Sequence, residues 1–402
     1  MCFGNFRTSW NCVRLSLYSH SINSYDMVIP MLDLKGQYSK IKEEIDSAID
    51  HVLESSNFIN GPEVGEFEKN LGRYLNSRYV VGCANGTDAL QIAMMALKLK
   101  PGDEVIVPAF TYAATAEVVG LLGLIPVLVD VDPHTFNIRI EDIEPSISDK
   151  TKAIVPVHLF GQGSDMERIM EITQRRSLYV IEDNAQAIGA QYRYRDGSVK
   201  MLGTIGDIGC TSFFPTKNLG CYGDGGAMFT QSKAVADGLK MITDHGQKVK
   251  YYHDIIGCNS RLDTIQAAVL NVKLKRLDEY SKLRYEAAAR YKEFLSGEND
   301  IILPYESDSS SHVYHQFTIQ VPPESRDKLK EFLAVKGIAA TTYYPMSLNN
   351  QKAFAGISKI RVSLSNSERL ATSVLSLPMH TELTPQIQEK ICDAVREFFG
   401  RR

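Results

Sequence analysis

Lys217 lies in SFFPTKNLGCYGDGGA, residues 212 to 227, between an apolar run and a glycine-rich turn. An ammonium costs free energy to bury unless it is paired or gives up its proton. In an apolar, glycine-lined pocket the neutral amine becomes a nucleophile that can form a Schiff base with a carbonyl. Asp183 ends the run LYVIED, with Glu182, Asn184 and Gln186 beside it. An ionised aspartate at a buried strand end needs a cation as partner, and a pyridinium nitrogen is one; the plain alternative is a helix cap. CANGTDAL sets Gly86 and Thr87 between a strand and a helix. The plain reading is an Asn-Gly turn with Thr87 as N-cap. The chemical reading is an anion cradle of backbone N–H groups at the positive helix end, to which Ser212 adds a hydroxyl.

An amine for a Schiff base, a carboxylate for a ring nitrogen and a cradle for a phosphate together describe the protein side of a pyridoxal phosphate site. Their order along one α/β unit is more informative than any one of them.

The elements that must position these groups run from about residue 79 to 190. YVVGCANGTDALQIAMMALKL reads as strand, glycine turn, helix; EVIVPAFTYAATAEVVGLLG repeats that order; PVLVDVD, KAIVPVHLF and LYVIEDNAQA are further buried strands. Such alternation predicts an α/β fold with a large, mainly parallel sheet covered by helices on both faces. Ligands bind such sheets beyond the carboxyl ends of the strands, where Asn85, Gly86, Thr87, Tyr112, His158, Asp183 and Gln186 fall. RLDTIQAAVLNVKLKRLDEYSKLRYEAAARYKEFLS then reads as one long helical pattern bent midway. HQFTIQV, a helix around Arg326 to Lys336, KIRVSLSN and a last amphipathic helix from Pro385 are expected to form a smaller α+β domain. The expected division is a polar extension over 1–26, a large domain over 27–275 and a small domain over 276–402.

A net charge of -4 provides no basic field for nucleic acid, so an anionic substrate needs locally placed donors. Seven scattered cysteines without a C-x-x-C pair fit free thiols in a cytoplasmic protein. No apolar run approaches the roughly 20 residues that span a bilayer, so no membrane partner is expected. Residues 1–26 make a poor signal peptide, and Met27 and Met31 are alternative starts. No G-x-G-x-x-G or Walker A sequence occurs. His312 and His315 in HVYH lack a third ligand, and no metal site is expected.

EDNAQAIGA, GCTSFFPTKNLGCYGDGGA and GCNSRLDTIQAAVL closely resemble the DegT/DnrJ/EryC1/StrS family of pyridoxal phosphate-dependent sugar aminotransferases, over about Met31 to Phe399. The resemblance implies the fold type I, aspartate aminotransferase-like, architecture of pyridoxal phosphate-dependent transferases. It implies that Lys217 holds the cofactor covalently, that Asp183 pairs with the ring nitrogen, and that Tyr112 and Gln186 lie against opposite ring faces. It assigns Gly86, Thr87 and Ser212 to the phosphate, with Asn259 reaching the phosphate from a neighbouring subunit of an obligate homodimer. L-glutamate is then the amino donor and a nucleotide-linked keto-sugar the acceptor.

HGQKVKYYHDIIGCNSR resembles the family stretch that meets the nucleotide sugar; Lys248, Lys250 and Arg261 supply local positive charge, although a solvated loop explains the lysines equally well. NSRLDT with YYPMSLNNQKAF looks most like the family branch that aminates the C3 keto group of UDP-linked 2-acetamido uronic acids for surface polysaccharide, including lipopolysaccharide. There Arg261 would face the sugar carboxylate, with Tyr343 and Tyr344 on the substrate. Tyr343 stands where that branch often has histidine, and Asn349 where many members have histidine. The alternative acceptor is a 3- or 4-keto dideoxy hexose on dTDP or UDP. Lys217 argues against the related sugar dehydratases, which carry histidine there, and the complete Lys217, Asp183 and Gln186 set argues against a non-catalytic scaffold.

Overall fold

The computed structural model describes residues 28–400, so the extension expected over residues 1–26, together with Met27, lies outside the described residues. Seven strands, β1 (Tyr79–Cys83), β2 (Glu104–Pro108), β3 (Ile125–Val129), β4 (Thr151–Ile154), β5 (Tyr179–Asp183), β6 (Ile208–Ser212) and β7 (Gly226–Thr230), enter one sheet. Three later ones follow: β8 (Phe317–Gln320), β9 (Lys359–Ile360) and β10 (Val374–Leu377). The large sheet has eight strands in the order β1-β7-β6-β5-β4-β2-β3-β9. Within it β7 alone is antiparallel to its neighbours, β1 and β6.

Strand side chains alternate between faces, and two cores follow from that alternation. Val105, Val107, Leu128, Ala153 and Ile181 join a core with Leu90, Ala93 and Met94 of the Gly86–Ala96 helix. Ile106, Val127, Val129, Ile154 and Val180 join another with Met166, Ile169 and Ile172 of the Met166–Arg176 helix. Burial on both sides explains the nearly unbroken apolar runs.

The long helical pattern is two helices, Thr264–Leu274 and Leu277–Phe294, broken at Lys275 and Arg276. A separate core gathers Ala287, Tyr291, Phe317, Ile319, Leu333, Leu375, Leu377, Ile391 and Val395 around the antiparallel β8–β10 pair. We propose a domain boundary near residue 276 between these bodies, with crossings in both directions. Ile29 packs into the small-domain core. KIRVSLSN departs from the expectation that it belongs to the small domain: Lys359–Ile360 extends the large sheet in parallel with β3. The segment is held there by the buried Glu104 carboxylate, which accepts from Lys359 Nζ at 2.8 Å and from Arg361 Nη2 at 2.7 Å, and by Val362 and Leu364, which pack on the large-sheet core. Among the described residues no helix is long and apolar enough to cross a membrane.

Candidate active site

Asp183 is the last residue of β5, and its neighbour Glu182 points to the opposite face. Glu182 accepts from the backbone N–H groups of Gly203 (2.7 Å), Ile205 (2.7 Å) and Gly206 (2.6 Å) and meets His158 Nε2 at 2.9 Å. His158 Nδ1 accepts from Ser164 N at 3.2 Å, which assigns the proton to Nε2. That half of the dense polar cluster fastens loops. Asp183 has a different role: it is 6% exposed and accepts from Thr115 Oγ1 at 2.8 Å and Ala185 N at 3.2 Å.

Lys217 sits in the turn after β6, where its N–H donates to Phe214 O at 2.8 Å. Burial of the amine pulls its pKa down to about 8, while the Asp183 carboxylate acts in the opposite direction. The amine and the carboxylate therefore share one electrostatic field at the carboxyl edge of the sheet.

Gly226 opens β7 between the ends of two strands, opposite Cys83 of β1 and Ser212 of β6. That register brings the β1 turn against Ser212: a Cβ on Gly86 would lie 2.6 Å from Ser212 Cβ, and one on Gly226 would lie 2.5 Å from the Asn85 carbonyl carbon. Only glycine fits these approaches. The helix cap is Asn85, whose side chain accepts from Asp88 N at 2.8 Å, and not Thr87 as the turn reading had it. Gly86 and Thr87 therefore lie in the first turn, whose N–H groups have no helical acceptor. These donors, beside the Ser212 hydroxyl, make a cradle suited to a phosphate.

Tyr112 is 60% exposed, with its ring centroid 6.1 Å from that of Tyr344. Gln186 Nε2 donates to the Tyr344 hydroxyl at 3.1 Å, and Gln186 Oε1 accepts from Phe160 N at 2.8 Å. Burial pushes the Tyr344 phenol well above its usual value and raises that of the adjoining Tyr343. An exposed aromatic face, a fixed amide, a buried carboxylate, a low-pKa amine and a glycine cradle fit a flat, phosphorylated pyridine aldehyde.

The remaining expected residues lie on a separate segment. Lys248 and Lys250 are exposed on the Gln247–Val249 and Tyr252–His253 hairpin, and Lys250 Nζ stands 5.1 Å from the Tyr251 ring centroid. Arg261 Nη1 donates to Asp244 Oδ1 at 2.6 Å. Asn259 is exposed, while the next residue, Ser260, accepts from Ala84 N at 3.1 Å, two positions before Gly86. His312 and His315 are used within the fold: His312 stacks on Tyr314 at 3.8 Å, and His315 Nδ1 meets Asn218 Oδ1 at 3.3 Å. Thr115, in the first turn of the Ala114–Leu121 helix, escaped the sequence reading, because its bond to Asp183 spans 68 positions.

The chain is similar to known proteins over most of its length. The model of the DegT/DnrJ/EryC1/StrS aminotransferase family matches residues 39–396. A Geobacillus stearothermophilus protein named pleiotropic regulatory protein is 45% identical over 93% of this chain and 99% of its own. UDP-2-acetamido-2-deoxy-3-oxo-D-glucuronate aminotransferase of Pseudomonas aeruginosa is 43% identical over 92% of this chain and 99% of its own. UDP-N-acetyl-3-dehydro-alpha-D-glucosamine 3-aminotransferase of Acidithiobacillus ferrooxidans is 43% identical over 92% and 97%. Among solved structures, a family aminotransferase from Brucella abortus superposes with a TM-score of 0.88 at 42% identity, covering 93% of this chain and 100% of that one. NtdA of Bacillus subtilis, with the cofactor PMP bound, superposes with a TM-score of 0.84 at 34% identity, covering 93% and 85%. With its fold type I sheet and the groups gathered at that sheet's carboxyl edge, the chain belongs to the DegT/DnrJ/EryC1/StrS aminotransferase family and is a pyridoxal phosphate-dependent aminotransferase.

Proposed function

We propose that the protein transfers the amino group of L-glutamate to the C3 keto group of a UDP-linked 2-acetamido-2-deoxy uronic acid, supplying a surface polysaccharide precursor. It acts as a cytoplasmic homodimer with shared sites. The observation that carries the reaction type is the placement of Lys217, in the turn after β6, beside the buried Asp183 carboxylate at the end of the neighbouring β5. Bound pyridoxal phosphate supplies an electron-withdrawing ring that stabilises charge at the carbon losing its proton.

The protein's own groups do the rest. Asp183 would keep a proton on the ring nitrogen, and Thr115 fixes which way that carboxylate faces. Lys217 would hold the cofactor aldehyde, and its free amine would be the group placed to move a proton at the reacting carbons. A pKa of about 8 leaves a useful neutral fraction near neutral pH. Gly86, Thr87 and Ser212 would hold the phosphate, with Tyr112 and Gln186 available to the ring.

For the acceptor, sequence identity does not choose: relatives named for the uronate and for the uncharged sugar are both 43% identical. Support for the uronate is Arg261, whose planar guanidinium suits a carboxylate. Lys248, Lys250, Tyr343 and Tyr344 complete the substrate side. A neutral 3- or 4-keto dideoxy hexose on dTDP or UDP is favoured by one observation, the engagement of Arg261 with Asp244. Exposed Val249, Tyr251, Tyr252, Ile255 and Ile256 beside Asn259 support a subunit contact there. The free thiols of Cys83, Cys210, Cys221, Cys258 and Cys392 suit a reducing compartment.

The deciding experiment titrates cofactor-loaded protein with L-glutamate while following visible absorbance, beside Lys217→Ala, and then offers both sugar types. Conversion in the parent alone, followed by preference for the uronate, is expected. A spectrum unmoved by glutamate removes the donor assignment, and indifference to the carboxylate removes the acceptor assignment.

A further inference from the structure

The segment 312–316, from the small-domain part of the chain, is strung between two loops of the site. On one side Asn218, next to Lys217 and 5% exposed, donates from Nδ2 to Val313 O at 2.9 Å, and its Oδ1 meets His315 Nδ1 at 3.3 Å. Since that oxygen can only accept, His315 carries its proton on Nδ1. On the other side Val313 N donates to Gly161 O at 2.9 Å and Gln316 N to Phe160 O at 3.4 Å. Phe160 N in turn donates to Gln186 Oε1. A Cβ on Gly161 would lie 3.0 Å from the backbone nitrogens of Tyr314 and His315, so this contact depends on glycine. The segment is itself held from behind by Arg284, whose Nη1 donates to the carbonyls of Tyr314 (3.1 Å), His315 (3.4 Å) and Met379 (3.0 Å).

We propose that Asn218 and His315 are positioning residues that hold the Lys217 loop at a fixed distance from Gln186, so that one segment sets the spacing of the two groups assigned to the cofactor. The proposal rests on the assignment of Lys217 and Gln186 to the cofactor. His315 is suited to the task because it stays neutral: burial, then the charges of Lys217 and Arg284, hold its pKa well below the usual 6.5. An imidazolium there would repel Lys217. The groups facing Lys217 are thus Asp183, of opposite sign, and the uncharged His315.

The test uses the holoenzyme and three variants: Asn218→Ala, His315→Phe, which keeps the ring without the donor, and His315→Asn, which restores a donor. Loosening the tether would admit water to the nitrogen that joins Lys217 to the cofactor in the holoenzyme and favour its protonated form. The pH midpoint of the bound cofactor's visible absorbance should then rise by about one unit in the first two variants. Their kcat should fall about tenfold to a hundredfold with KM for the donor little changed, as expected for lost orientation. His315→Asn should return the midpoint to the parent value. A midpoint unmoved in folded Asn218→Ala or His315→Phe overturns the proposal. Should both fail to fold, a shifted midpoint in His315→Asn overturns it and an unshifted one supports it. Loss of the pH-dependent absorbance in Lys217→Ala checks the underlying Lys217 assignment separately.

Discussion

Thr115 Oγ1 donates to Asp183 Oδ2 at 2.8 Å, joining the first turn of the Ala114–Leu121 helix after β2 to the end of β5, with β4 lying between those strands. A hydrogen bond to a charged acceptor contributes about 1.5–3 kcal/mol. Replacing Thr115 by valine keeps the shape and removes the donor, so kcat/KM should fall about tenfold or more. Steady-state kinetics checks this. Asp183→Asn, which removes the charge itself, should cost more than Thr115→Val; equal losses would contradict the assignment of the ring nitrogen to Asp183.

Gly86 and Ser212 offer a double-mutant cycle. Gly86→Ala forces a Cβ to within 2.6 Å of Ser212 Cβ, an overpacking expected to cost about 1–3 kcal/mol. Adding Ser212→Gly clears that space and should recover much of the stability in urea melts. Cofactor affinity, measured by equilibrium dialysis, should stay impaired, because the hydroxyl assigned to the phosphate is gone.

Glu104 makes acid stability testable. Burial would raise its pKa, but hydrogen bonds from Arg361, Lys359 and Ser148 outweigh that and hold it at about 2. A depressed carboxylate stabilises the fold above its ordinary value of 4.5 and loses that contribution as the pH falls toward 2. Arg361→Met should cost about 2 kcal/mol at neutral pH, below the range for a fully buried pair because Arg361 is partly solvated. Urea midpoints at pH 7 and pH 3 should show a smaller difference between variant and parent at the lower pH.

Lys217 and Lys273 move stability the other way along the pH scale. Burial lowers both to about 8 from 10.5, so between those values the unfolded chain binds more protons than the folded one. Stability of the cofactor-free protein should therefore rise with pH across that window. Lys273→Met should flatten part of the rise in thermal melts.

The exposed segment that follows the hairpin tests assembly. Ile256 is 85% exposed, and Ile256→Asp should shift the protein toward monomer in sedimentation velocity, with loss of activity. Were the sites shared between subunits as proposed, mixing Lys217→Ala with Arg261→Ala protein would restore activity through heterodimers.

Residue types and their order along the chain determined the sheet, the reaction class and most of the site. A strand buried on both faces needs unbroken apolar residues, and a lysine or aspartate at its end stands out against them. That contrast exposed Lys217 and Asp183, and the CANGTDAL turn marked Gly86, whereas the close approach at Gly226 came from the strand register. Tertiary structure decided which polar groups work together. The alternation of a strand sends Glu182 to His158 and Asp183 to Thr115, although the two acids are adjacent in sequence. It also drew KIRVSLSN onto the large sheet through Glu104, and joined Asn218 to His315 across 97 positions. Local propensity is read within a few residues, whereas hydrogen bonds and ion pairs between distant segments form only once the chain has closed on itself; the partners of Arg261 and His315 were therefore settled by the fold.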